Sequence, residues 1–388
     1  MRILIVGGGI AGSAAALALH KAGFAPIVYE AHPDSAEDLG AFLTLASNGM
    51  RALAQIDAAH NVAQIGFPLS RLRVIDASGA TVADTPLGEH QHPLTQYRCL
   101  RRADLAAALQ REVVHRGISI RHGARLHSLS EDSDGITARF TDGHSATGDL
   151  LIGADGLNSA VRPLISDGEV EPHYAGQRVF YGYTTDAPPE ASGGITMIRA
   201  SGAAFGYACS PGGETFWFAR VSGPPAAADE IALTTPEQWR DRLVPLLRPD
   251  TTPAADIVQA TTDQLMLTNA CDLSPGITWH TPRALIIGDA AHAASPATGQ
   301  GASMALEDAV VLAKALRDAP TISAALTAYE NVRRPRVEHN IVVSAALTAG
   351  RRPSPAAGPQ PADGNARVAP LSDDDLVHQL DWTTPLPA

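Results

Sequence analysis

An apolar, β-branched run, Ile3 to Val6, breaks at Gly7-Gly8-Gly9-Ile10-Ala11-Gly12 and passes straight into an alanine-rich stretch, Ser13 to Ala22. No other feature constrains the fold of this chain so tightly. The run has the composition of a strand buried on both faces. Gly7 permits a tight turn, Gly9 lets the backbone approach a pyrophosphate, and Gly12 lets the helix pack close against the strand. The N-terminal N–H groups and the dipole of the following helix then point at that phosphate. A second run, Pro26 to Tyr29, ends at Glu30, about 20 residues past the glycines, where a carboxylate accepts from ribose hydroxyls. A glycine turn that merely joined a strand to a helix would need none of this spacing. The acid at Glu30 suits an unphosphorylated ribose, hence FAD or NAD rather than NADP.

At 388 residues the chain exceeds one ordinary hydrophobic core, so a large domain with a smaller companion is expected. The formal net charge of −12 excludes a basic footprint for nucleic acid and fits an anionic membrane surface poorly. Three cysteines, Cys99, Cys209 and Cys271, lie far apart and form no disulfide framework, which suits a reducing compartment. No apolar run reaches membrane-spanning length. The triple glycine interrupts the first apolar stretch too early for a signal peptide. The expectation is a soluble, cytoplasmic protein; its oligomeric state is not readable.

Two later stretches return to the first theme. In "DLLIGADGLNSAVR", Asp149 to Arg162, a strand ends at Gly153 and Asp155-Gly156 stand at its exit. In "ALIIGDAAHAASPATGQG", Ala284 to Gly301, an apolar run stops at Gly288-Asp289, Pro296 follows, and Gly299-Gln300-Gly301 open a helical pattern. With Gly7 to Gly12, these stretches resemble the flavoprotein hydroxylase family of the p-hydroxybenzoate and salicylate hydroxylase type. "YRCLRRADLAAAL" carries the family's R-x-x-L helix start at Arg102 and Leu105, and "YENVRRPRVEHN" looks like its late helix. "GQRVFYGYT" and "GETFWFARVSGPP" are similar to its substrate-domain strands.

The resemblance implies an α/β fold: a Rossmann-like FAD-binding domain, discontinuous in sequence, with a β-sheet substrate domain and C-terminal helices. The expected divisions are 1–173 and 269–350 for the FAD-binding parts, 174–268 for the substrate sheet, and 351–388 for a flexible tail with a short terminal helix. It implies non-covalent FAD held by Gly7, Gly9, Ala11 and Gly12, with Glu30 and Ala31 at the ribose. Arg102 would lie near the pyrophosphate, Leu126 near the adenine, and Asp289 at the ribityl hydroxyls. Gly299, Gln300, Gly301 and Ala302 would meet the pyrimidine edge of the flavin, where a helix N-terminus favours negative charge. Pro296, with its fixed φ, would line the reactive face. Asp155 would serve both FAD and a pyridine nucleotide, although D-G alone is common turn chemistry.

The implied activity is hydroxylation of an aromatic or polycyclic small molecule by molecular oxygen through a C4a-hydroperoxyflavin. NADH or NADPH would be the co-substrate, docking without a second G-x-G-x-x-G. An epoxidase, a Baeyer–Villiger oxygenase and a reductase stay open. A flavin halogenase would need a lysine beside the substrate and a W-x-W-x-I-P segment. Neither Lys21 nor Lys314 fits, and the tryptophan segment is absent. A non-catalytic relative of the fold would have no use for Glu30, Asp155 and Asp289.

Between the motifs, "RLRVIDASGATVADT" has hairpin character around Ser78-Gly79, and residues 117–153 read as a β-meander. From Tyr174 to Thr268 extended segments carry aromatic punctuation, and Phe205 and Tyr207 share a strand face. Phe180, Phe205, Tyr207 and Trp217 are the substrate-lining candidates. No metal site is expected, since His90 and His92 have no third ligand in view. No C-x-x-C or G-x-S-x-G occurs. His292, after the G-D pair, reads as structural rather than as a base. The stretch Arg351 to Val368 is Pro/Gly/Ala-rich and reads as a flexible excursion.

Overall fold

The computed structural model describes residues 1–33, 40–88, 92–166, 170–187, 193–351 and 373–386. Strand Arg2–Val6 and helix Ile10–Lys21 form on either side of the glycine turn, and strand Ala25–Tyr29 follows. Ile3, Leu4 and Ile5 are wholly buried, as a strand covered on both faces requires. The two strands pair in parallel within a five-stranded sheet. Its order is Ala284–Ile286, Leu150–Gly153, Arg2–Val6, Ala25–Tyr29, Ser119–Arg121, all parallel.

That order positions the site. Val6, Gly153 and Ile286 stand level across three neighbouring strands, so the Gly7 turn, Asp155 and Asp289 all leave from one edge. In open parallel sheets the crevice outside the carboxyl ends of the strands is where ligands bind. Three motifs far apart in sequence therefore converge because their strands are neighbours.

The segment read as one meander divides between two sheets. Only Leu126–Glu131, Ile136–Phe140 and Ser145–Gly148 form an antiparallel trio. Ser119–Arg121 and Leu150–Gly153 join the parallel sheet, the latter because Leu150, Leu151 and Ile152 are apolar in succession and buried.

A seven-stranded sheet has the order Leu265–Asp272, His173–Thr184, Thr215–Ser222, Ala204–Cys209, Gly194–Arg199, Arg71–Asp76, Thr81–Pro86. The last two strands form the hairpin read at Ser78-Gly79. Asp76 Oδ1 closes its turn by accepting from the amides of Ser78 at 2.9 Å and Ala80 at 3.1 Å. This hairpin leaves the early part of the chain, and its first strand pairs in parallel with Gly194–Arg199. Strands Phe42–Leu45, Tyr97–Arg101 and Phe67–Leu69 bridge the two large sheets. Phe42, Phe67 and Cys99 pack there against Tyr183, Ile195 and Phe216.

Helix Gly301–Asp318 packs against helix Ile10–Lys21 on one side and helix Ile322–Thr348 on another. A terminal helix, Asp373–Leu380, docks through Leu376 and Leu380, and Lys314 Nζ donates to the carbonyls of Gln379 at 2.7 Å and Asp381 at 2.6 Å. The stretch read as a flexible excursion lies outside the described residues apart from its first residue, and so does His90. No described helix is long and apolar enough to cross a membrane.

Candidate active site

A cavity of about 920 Å³ opens at the strand ends and runs to one face of the seven-stranded sheet. At the strand-end half its wall is built from Gly7, Gly9, Ala11, Glu30 and Ala31, with Arg102, Leu126 and Asp155 beside them. Asp289, Pro296, Gly299, Gln300, Gly301 and Ala302 complete this half. The sequence motifs are thus brought together around one space, with one exception. Gly12 stands behind it, where a side chain would strike the Gly7 carbonyl, so its role is helix-to-strand packing.

Gly7 has φ +102°, and a Cβ there would meet the Ala154 carbonyl, so both conformation and space demand glycine. A Cβ on Gly9, by contrast, would meet no atom of the described residues within 4 Å. The open side of that turn faces the cavity, as a cradle for a pyrophosphate must. Glu30 is fixed beside it, accepting from the amides of Gly8 at 2.5 Å and His32 at 2.8 Å. A carboxylate has about four lone-pair sites, so capacity for ribose hydroxyls remains.

Asp155 is committed locally. Its Oδ1 accepts from Ser159 Oγ at 2.6 Å and its Oδ2 from the amides of Ala160 at 2.7 Å and Val161 at 3.1 Å. It caps the turn into helix Val161–Ile165, and burial raises its carboxyl above the ordinary range despite those bonds. At the other edge Asp289 opens a short helix, and its Oδ1 lies 3.9 Å from where a Cβ on Gly301 would stand. The acid and the start of helix Gly301–Asp318 therefore address the same space.

The sheet half is of different character. Leu72, Val179, Ile195, Met197 and Phe218 present hydrocarbon, thioether and aromatic surface, and the polar groups on this face are Tyr181 and Arg220. Gly206, between Met197 and Phe218 across the strands, leaves room for both side chains; a Cβ there would meet Met197 Sδ at 2.9 Å. Arg220 lies over the Phe218 ring, its guanidinium carbon 5.8 Å from the centroid. Its Nε and Nη1 are shielded from solvent and have no partner among the described residues. Burial pushes the Tyr181 phenol up to about 12, against the pull of Arg102 and Arg220, so it stays a neutral donor.

The chain matches the family model described as "FAD binding domain" over residues 1–344. It is 30% identical over 340 residues to the aurachin C monooxygenase/isomerase of Stigmatella aurantiaca, covering 86% of this chain and 85% of that protein. It is 31% identical to the FAD-dependent urate hydroxylase of Klebsiella pneumoniae over 351 residues, 87% of each chain. The crystal structure of Klebsiella pneumoniae HpxO complexed with FAD and uric acid superposes with a TM-score of 0.80 at 29% identity, covering 90% of this chain and 89% of that one. The chain belongs to this family and is an FAD-dependent monooxygenase.

The four aromatics expected to line the monooxygenase's substrate space lie elsewhere. Phe180, Phe205, Tyr207 and Trp217 are buried on the opposite face of the seven-stranded sheet, in a second core with helices Pro236–Leu247 and Ala254–Gln259. Trp217 stacks on Phe205 at 5.6 Å and donates to Thr261 Oγ1 at 2.8 Å, and Phe180 meets Trp239 edge-on at 5.5 Å. The reason is strand parity. In "FWFAR" alternate residues face opposite sides, so Phe218 and Arg220 reach the cavity while Trp217 and Ala219 turn away. An arginine inside an apolar strand was the signal that could have found the correct face.

His292 is structural, as read: its Nε2 lies 2.6 Å from Asp308 Oδ2, deep in the core. Asp308 belongs to a buried ionic network that the sequence reading missed. Arg333 Nε reaches Asp308 Oδ1 at 2.8 Å, and its Nη1 reaches Glu307 Oε2 at 2.6 Å. Arg336 also pairs with Glu307, and Asn48 Nδ2 links Glu307 Oε1 at 2.6 Å to Gln300 Oε1 at 3.0 Å. The network thereby connects the cavity-lining Gln300 to the helix Ile322–Thr348. Adjacent acids inside an otherwise apolar helix, Glu307-Asp308, are its sequence trace.

Proposed function

We propose that this monooxygenase uses NADH or NADPH and molecular oxygen to hydroxylate an aromatic or polycyclic small molecule, with FAD held non-covalently. The observation that carries the reading is the continuity of one cavity, from the Glu30 end of a dinucleotide cradle to an apolar sheet face bearing Tyr181 and Arg220. When bound, FAD supplies reduction by the pyridine nucleotide and the activation of oxygen from which one atom passes to the substrate.

The residues present fit that cofactor. Glu30 and Ala31 would stand at the adenosine ribose, the carboxylate accepting from its hydroxyls, with Leu126 near the adenine. Gly7, Gly9 and Ala11 would admit the pyrophosphate, and Arg102 would neutralise it. Asp289 would accept from the ribityl hydroxyls. The amides of Gly299, Gln300, Gly301 and Ala302 would donate to the ring's pyrimidine edge, where a helix N-terminus favours negative charge. Pro296 would shape the wall beside the reacting position. Asp155, already bonded through both oxygens, would act by fixing the strand exit. The apolar sheet face would exclude water from the reaction.

The relatives named for hydroxylation of urate and for aurachin C support oxygen transfer to a small organic molecule. The acidic net charge and the three scattered cysteines support a cytoplasmic setting. The test is a stopped-flow screen of NAD(P)H oxidation by the purified holoenzyme against phenols, heteroaromatics and polyketides. Acceleration by at least one class, with an oxygenated product, is expected. Oxidation that no organic acceptor accelerates would remove the reading.

A further inference from the structure

We infer that the sheet half of the cavity takes a planar organic acid, with one anionic group set between Arg220 and Tyr181 and an otherwise apolar body laid on the sheet. The inference rests on the monooxygenase reading for the place of this chamber and goes beyond it in naming the substrate class.

A guanidinium is rarely left shielded and unpaired, because removing it from water without a partner is costly. Arg220 has Nε and Nη1 in that condition, on a cavity wall. Its strand neighbours give it nothing to pair with: Val179 stands opposite on one side and Ala204 on the other. Among the described residues that line the sheet half of the cavity there is no carboxylate, and the lining acids Glu30, Asp155 and Asp289 belong to the strand-end half. Tyr181 adds a neutral hydroxyl on the same face. An incoming anion would receive charge-assisted hydrogen bonds and relieve the unpaired cation together.

The remaining surface sets the rest of the ligand. Leu72, Val179, Ile195, Met197 and Phe218 offer no donors or strong acceptors from their side chains. A purine trione such as the uric acid bound by the Klebsiella relative carries N–H and C=O groups around its whole rim. Against this wall most of them would lose water without gaining a partner, which disfavours such a ligand strongly. A fused hydrocarbon ring with a single carboxylate or acidic enol meets both halves of the description. Met197 is unbranched and polarisable, and adapts to rings of differing outline.

The test is an equilibrium titration of the oxidised holoenzyme, followed by perturbation of flavin absorbance, with three probes: 2-naphthoate, 2-naphthamide and uric acid. The naphthoate should bind about 10- to 100-fold more tightly than the amide, the range for hydrogen bonds to a charged group. Uric acid should bind more weakly than the naphthoate. In Arg220→Gln the acid-over-amide preference should fall below about threefold, on the same scale, while bound FAD is retained. Equal affinity of acid and amide in the parent enzyme, tighter urate binding, or no naphthoate binding up to millimolar levels would overturn the inference without any variant. So would a preference that survives in FAD-loaded Arg220→Gln. If that variant loses FAD, the comparison within the parent decides alone. Turnover separates this claim from the one it rests on. Acids that bind yet give no oxygenated product with NAD(P)H and oxygen contradict the oxygenation reading only. Efficient oxygenation confined to neutral or urate-like molecules contradicts the substrate class only.

Discussion

His292 Nε2 lies 2.6 Å from Asp308 Oδ2, and the same oxygen accepts from the Gly288 amide at 2.9 Å. One buried carboxylate therefore holds both ends of the turn that carries Asp289. An ionised acid only accepts, so the histidine presents Nε2–H to it. Arg333 completes the arrangement from the far helix, and its side chain is also wholly buried.

Breaking this pairing should be costly. Asp308→Asn leaves Arg333 with one acid where it had two, and a loss of about 3–5 kcal/mol is expected in urea unfolding. A loss below about 1 kcal/mol, the size of an exposed pair, would show that the network contributes little.

The same network fixes a pH dependence. Burial pushes the Asp308 carboxyl up, but His292 and Arg333 outweigh it and hold the group below the ordinary range. Glu307 is likewise lowered against burial by Arg333 and Arg336. Folded-state values below the unfolded ones give stability that is fully present above about pH 5 and drains away as pH falls further. The melting temperature should decline below that pH in the parent, and less steeply in Asp308→Asn. Parallel declines in the two proteins would contradict the assignment.

Asp289→Ala should weaken FAD retention by about 1.5–3 kcal/mol, or about 10- to 100-fold in Kd. Glu30→Ala should act similarly from the other end of the cofactor. Release of free FAD on denaturing the parent, and reduced flavin occupancy in both variants, are the measurements. Unchanged occupancy in Asp289→Ala would count against its placement at the ribityl chain.

Gly299 sits at φ +65°, with Thr44 Oγ1 3.2 Å from where a Cβ would stand. Valine there is strained by both conformation and contact. Gly299→Val should keep part of its FAD, because Glu30 and Asp289 are untouched. Product formed per NAD(P)H should nevertheless fall, on the order of a hundredfold for a displacement near 1 Å, with hydrogen peroxide appearing instead. Normal coupling would place another segment against the reacting side of the ring.

Trp217→Phe removes a hydrogen bond to Thr261 and should lower stability by about 1–3 kcal/mol. Because Trp217 faces the second core, the affinity for 2-naphthoate should stay within about twofold of the parent. A large affinity loss at unchanged stability would return this side to the substrate space.

The strand-end half of the cavity was legible because its chemistry is local. The glycine turn, Glu30, and the pairs Asp155-Gly156 and Gly288-Asp289 each end a buried strand, and strand ends in a parallel sheet share an edge. The sheet half was legible only as aromatic strands. Which alternate set faces the cavity depends on what covers the other side, here helices Pro236–Leu247 and Ala254–Gln259, whose packing no strand pattern encodes. The link from Asn48 to Glu307 spans 259 residues and no short-range pattern announces it.

In the proposed reaction one atom of molecular oxygen enters an organic substrate at the expense of NAD(P)H. Turnover of the holoenzyme under isotopically labelled oxygen, with hydroxynaphthoates among the acceptors, tests it most directly. One labelled atom in the product and one in water are expected for each NAD(P)H consumed. A product that carries oxygen from water alone, or a reaction yielding labelled hydrogen peroxide and unchanged acceptor throughout, would contradict it.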